Sequence, residues 1–167
     1  GGGARGQCKM ATSPSRRLLC FGDSLTCGYQ HVGAELRFHP YATRLQTLLN
    51  AGASRAEDEW EVDHVGLSGW ASTQILDSVD SEHCVDVNDV SWPGLCAKLA
   101  AASSCGRPYT ACAILAGTND LAEIMSNECD VQATVRNLLS LHSACHAVGV
   151  RTLALTVPEH AAESHLE

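Results

Sequence analysis

What most constrains the fold of this 167-residue chain is a rhythm of short, continuous apolar runs, most of them stopping at a polar, glycine-bearing turn, with helix-period segments between. Arg17-Leu18-Leu19-Cys20-Phe21 runs into Gly22-Asp23-Ser24, residues 60–67 (WEVDHVGL) into Ser68-Gly69, and residues 110–116 (TACAILA) into Gly117-Thr118-Asn119-Asp120. Runs of this kind fit strands buried on both faces. Leu153, Leu155 and Val157 alternate as a fourth strand. After Pro40, at a first helical position, Tyr41, Leu45, Leu48 and Leu49 recur with helical spacing until Gly52. A second helix begins around Ser72 or Thr73, and Leu95, Leu99 and Ala102 mark a third. Asp130 caps a fourth, whose apolar face is read as Val131, Val135, Leu138 and Leu139 and whose end is Gly149. Residues 81–93 are polar and irregular. Strands separated by helices require crossover connections, so the pattern predicts an α/β fold of three layers, with a parallel sheet covered by helices on both faces.

The length fits one domain, and a domain of this size can bury a sufficient core without cross-links. Residues 1–16 are Gly/Ser/Pro-rich and aperiodic and read as a flexible leader, which leaves 17–167 as the domain. A formal charge of -8 with no Lys/Arg stripe argues against nucleic acid or an anionic membrane as partner and favours a small neutral or cationic substrate. The nine cysteines form no C-x-x-C pair, and several sit inside apolar runs. They read as small buried hydrophobes in a reducing compartment, which points to the cytoplasm. No stretch reaches the roughly 18 apolar residues of a transmembrane helix, and no signal-peptide core is present, although the chain opens on Gly1 rather than Met. No phosphate-cradling or dinucleotide glycine loop follows any strand, so nucleotide binding of that kind is not expected.

In an open parallel sheet, ligands sit beyond the carboxyl ends of the strands, where this chain places its three unusual turns. A serine directly after a buried strand stands at a helix start, whose free N–H groups stabilise developing negative charge. Ser24 meets that description, and Gly69 and Asn119 stand at neighbouring strand ends. Each also has a plainer reading: Ser24 as a helix N-cap, Asn119 and Asp120 as a turn or capping pair, Gly66 and Gly69 as turns needing positive φ. Ser68 is a second nucleophile candidate, but the G-x-S-x-G elbow is missing. His142, Cys145 and His146 share a helical face at i, i+3 and i+4; placement at a helix C-terminus is preferred there over a metal site.

Taken together, Phe21-Gly22-Asp23-Ser24-Leu25-Thr26, Gly66-Leu67-Ser68-Gly69 and Gly117-Thr118-Asn119-Asp120 resemble, in order and spacing, the first three blocks of the GDSL/SGNH serine hydrolases. The resemblance covers residues 17–167 and implies a flavodoxin-like parallel sheet and a serine ester hydrolase without metal or organic cofactor. It implies that Ser24 attacks the acyl carbon while the N–H groups of Ser24 and Gly69 and the Asn119 amide hold the oxyanion. The segment Thr156-Val157-Pro158-Glu159-His160 resembles the family's fourth-strand exit loop. The family's closing Asp-x-x-His, source of orienting acid and general base, has no counterpart after Val157, so the chain is expected to lack the last strand and helix. Asp80-Ser81-Glu82-His83 has that spacing in the wrong place along the chain, and His160 and His165 are minor candidates for the base. A serine without an imidazole lacks a proton acceptor, so the alternative is a catalytically inactive fragment or pseudoenzyme acting as a binding module. Which ester is cleaved and which oligomer forms stay open at this level.

Overall fold

A computed structural model of the chain describes residues 16–32, 35–126 and 130–158. In chain order, β1 (Arg16–Gly22), α1 (Ser24–Cys27), β2 (Tyr29–Val32), β3 (Glu35–Phe38) and α2 (Tyr41–Asn50) precede a single 3-10 turn at Ala56–Asp58. Then come β4 (Trp60–Gly66), α3 (Ser72–Asp77), β5 (Cys84–Val85), β6 (Ser91–Trp92), α4 (Leu95–Ser104), β7 (Ala111–Leu115), α5 (Thr118–Met125), α6 (Val131–Ala147) and β8 (Arg151–Ala154). Four of the strands form one sheet in the order β4-β1-β7-β8, and all three neighbouring pairs are parallel. This is the expected α/β sandwich with a flavodoxin-like sheet. Two small antiparallel hairpins, β2-β3 and β5-β6, stand outside it.

Alternation along the central strands divides the core. Leu19 and Phe21 of β1 and Cys112 and Ile114 of β7 face the larger cluster, which contains Ile75 of α3, Leu95 and Leu99 of α4, and Leu141 and Cys145 of α6. Leu18, Cys20, Ala111 and Ala113 face the opposite side, where Ala42, Tyr41 and Leu45 of α2 cover them. Burial on both faces explains why β1 and β7 read as unbroken apolar runs. The outer edge of β4 is met by α2: the Gln46 side chain accepts from Val62 N at 2.8 Å, and Asn50 both accepts from Trp60 N (2.8 Å) and donates to Trp60 O (3.0 Å).

Several expectations are corrected here. Arg16, placed in the leader, opens β1; residues 1–15 lie outside the described residues. The face of α6 that turns inward is Thr134, Leu141 and Cys145, with Leu138 packed partly against the core, whereas Val131, Val135 and Leu139 are exposed. Leu48 and Leu49 of α2 are exposed as well, and the helix turns Ala42 inward with Tyr41 and Leu45 packed against the core. The fourth strand begins earlier than the alternation implied, ends at Ala154, and exposes Leu153 and Leu155. Residues 81–93 are organised by β5-β6 rather than irregular. Cys20, Cys27, Cys84, Cys112 and Cys145 are buried, Cys96 partly so, and Cys105 is exposed; Cys8 and Cys129 fall outside the described residues. Among the described residues, no helix is long and apolar enough to cross a membrane.

Candidate active site

The strand register brings the three glycine-bearing turns to one rim. Gly22 pairs with Gly66 on one side and with Leu115 on the other, so the chain leaves β1, β4 and β7 at the same level. Backbone bonds join the exits: Leu67 N donates to Gly22 O at 2.8 Å, and Asp23 N donates to Leu115 O at 3.3 Å. Gly66 is ordinary strand without positive φ, contrary to the turn reading. Its lack of a side chain matters because a Cβ there would lie 2.5 Å from Cys27 N and 2.9 Å from Asp23 O, where the serine turn folds over β4.

Asp23, not Ser24, is the N-cap of α1. One carboxyl oxygen accepts from Leu25 N (3.0 Å) and the other from Thr118 N (3.3 Å), which ties the first turn to the third. Burial pushes the Asp23 carboxyl above its usual range, opposed by the bonds from Leu25 and Thr118. Ser24 is thereby the first helical residue, half-buried at the rim. Its N–H has no intrahelical acceptor by position. Among the described residues, neither the Ser24 N–H nor the exposed Gly69 N–H has a hydrogen-bond acceptor.

Gly69 takes φ +78, the left-handed region that favours glycine. Asn119, in the first turn of α5, donates from Nδ2 to Trp70 O at 2.9 Å, which links the third turn to the second and leaves one amide hydrogen. Gly117, at φ 109, caps α5, so Asn119 and Asp120 are helical rather than a capping pair. Asp120 is fully buried and was not distinguished in the sequence from an ordinary turn residue. Its Oδ2 accepts from Ser72 N (2.8 Å), and its Oδ1 accepts from the Ser72 hydroxyl and from Thr134 Oγ1 (3.1 Å). Asn137 of α6 donates in turn to Ser72 Oγ at 3.1 Å. This knot holds α3, α5 and α6 together directly behind Asn119.

The other candidates separate from this rim. Ser68 is buried, with Oγ 3.2 Å from Cys27 Sγ, so it is no open nucleophile. Asp80 and His83 are exposed, and His83 faces Ser91 on the β5-β6 hairpin. Cys145 points into the core while His146 lies 2.9 Å from Thr152 Oγ1; among the described residues no cluster is suited to a metal ion. Among the described side chains, no histidine bonds the Ser24 hydroxyl; His160 and His165 lie outside the described residues.

A parallel sheet ordered β4-β1-β7-β8, with polar groups from three strand exits gathered at its carboxyl rim, defines an α/β protein, and in open parallel sheets as a class ligands sit beyond that rim. No family model matches the chain, and no curated protein matches it. Among solved structures it is similar to the native aryl esterase of M. smegmatis, at 25% identity and a TM-score of 0.50, over 83% of this chain and 62% of that one. Est24, a carbohydrate acetylesterase from Sinorhizobium meliloti, aligns at 24% identity with a TM-score of 0.47, covering 86% of this chain and 64% of its own. The inhibitor-bound aryl esterase of M. smegmatis aligns at 22% identity and 0.46, over 83% and 62%. The first of these establishes that the fold is one used by a solved esterase. The chain spans less than two thirds of the length of each of these esterases.

Proposed function

We propose that this chain carries the nucleophile and the oxyanion-binding half of a serine ester hydrolase. The observation that carries the reading is the cross-linking of three strand exits at one rim, by Asp23 to Thr118 N and by Asn119 to Trp70 O. In this reading the Ser24 hydroxyl adds to the ester carbonyl, and the carbonyl oxygen gains the charge. The Ser24 N–H, the Gly69 N–H and the remaining Asn119 amide hydrogen receive that oxygen. The tetrahedral species then expels the alcohol, leaving the acyl group on Ser24 for water to remove. No step calls for a metal or an organic cofactor. The hydroxyl proton needs an acceptor that the described side chains do not place at Ser24. That observation favours a second reading, a rim that binds esters without turning them over.

A fluorophosphonate probe tests the first reading, with the labelled residue mapped by mass spectrometry. Labelling is expected at Ser24, absent in Ser24→Ala and about 100-fold slower in Asn119→Ala, the cost of removing one oxyanion donor. A folded chain that binds an ester analogue but leaves Ser24 unlabelled would establish the second reading instead. Labelling that survives Ser24→Ala would refute the nucleophile assignment.

A further inference from the structure

The β5-β6 hairpin carries a valine whose placement the reading above does not use. Asp86, at 4% exposure, organises the loop: one oxygen accepts from Asn88 N (2.8 Å) and Val90 N (3.1 Å), the other from the Trp92 indole (3.2 Å). Asp86 N also donates to Val90 O at 3.0 Å. The next residue, Val87, is tied to the second turn through Val87 N donating to Ser68 O at 3.3 Å. Val87 is 71% exposed, and its Cγ1 lies only 2.5 Å from where a Cβ on Gly69 would stand. A held loop thus presents an apolar side chain to solvent in the space beside Gly69.

We infer that Val87 is a specificity-determining residue that supports the acyl chain of the substrate, which selects esters of short apolar acids. The inference rests on the hydrolase reading. An oxygen held by the Gly69 N–H lies about 3 Å from that nitrogen, so the substituents of its carbonyl carbon begin within a few ångströms of Val87. Of the two, the leaving oxygen gains negative charge and must keep polar neighbours, and an apolar wall would disfavour it. The acyl chain gains from the same wall. Each methylene covered contributes about fourfold to kcat/KM, and one valine covers only a few.

The test compares p-nitrophenyl acetate, butyrate and hexanoate with a second series of butyrate esters of different alcohols. Val87→Thr keeps the shape and adds a hydroxyl; Val87→Ala removes the wall; Val148→Thr, an exposed valine just past the end of α6, is the control. The wild type is expected to favour butyrate over acetate about 15-fold, two methylenes at about fourfold each. Both Val87 variants should compress that ratio at least about fourfold and leave the ratios within the alcohol series in place, while Val148→Thr moves neither. An unmoved acyl ratio, or a change confined to the alcohol series, overturns the inference while the hydrolase reading stands. A wild type that hydrolyses no ester and takes no fluorophosphonate overturns the hydrolase reading itself, and is seen before any Val87 variant is made.

Discussion

Removing the carboxylate of Asp120 should unfasten the rim from the helices behind it. In the folded chain this one group accepts from Ser72 N, the Ser72 hydroxyl and Thr134 Oγ1, and none of Asp120, Ser72 or Thr134 is more than 7% exposed. Asp120→Ala takes its acceptor from the Ser72 N–H and hydroxyl, removes one bond from Thr134, and opens a cavity. A buried donor left without a partner costs about 1–3 kcal/mol, and the hydroxyls can turn partway to relieve theirs, so a loss of about 3–5 kcal/mol is expected. Asp120→Asn keeps the volume, still accepts from Ser72 N, and can donate to the two hydroxyls; it should cost about 1–2 kcal/mol. Urea unfolding followed by tryptophan fluorescence reads the difference. With a slope of about 2 kcal/mol/M, Asp120→Ala should lower the midpoint by about 2 M and Asp120→Asn by less than half as much. A shift below about 0.5 M for Asp120→Ala, or equal shifts for the two variants at unchanged slope, would refute the reasoning.

Two further predictions concern other parts of the fold. Gly66→Ala places a methyl 2.5 Å from Cys27 N. It should cost about 2–3 kcal/mol of stability in the melting curve and slow fluorophosphonate labelling of Ser24, since the serine turn must lift to admit it. Midway along β4, burial works to raise the Asp63 pKa, but Tyr109, Lys98 and Arg17 together outweigh it and hold the carboxyl below its usual value. A depressed carboxylate stabilises the fold above its unfolded pKa of about 4, and this contribution is lost as pH falls through the folded value. Asp63→Asn should therefore be about 1–2 kcal/mol less stable than the wild type at pH 7, with the gap closing below about pH 4; a gap independent of pH would exclude this origin.

The central sheet was legible because β1 and β7 are buried on both faces and leave an unbroken apolar signature. The hairpins were not. Tyr29 and Phe38 pair across β2-β3 at a ring separation of 6.2 Å, yet both are exposed, so burial does not mark these two aromatic positions as one inward face. The inward face of α6 was misread because Thr134 is drawn in by Asp120, while apolar Val131, Val135 and Leu139 point to solvent; hydropathy cannot weigh a buried hydroxyl against exposed valines. The three rim turns were legible as local motifs. The ties among them were not: Asp120 meets Ser72 across 48 positions, and Asn119 meets Trp70 across 49. Val87 had no local signal either, since its meaning comes from packing against Gly69.

The amides of Gln46 and Asn50 give the sheet an unequal pair of flanks. On the β4 flank, main-chain groups that a newcomer would need are already engaged by side chains of the same fold. β8 has β7 as its one strand partner among the described residues. Among the described residues, the strand that any added segment, from this chain or another, would pair with is therefore Arg151–Ala154, with Leu153 and Leu155 exposed beside it.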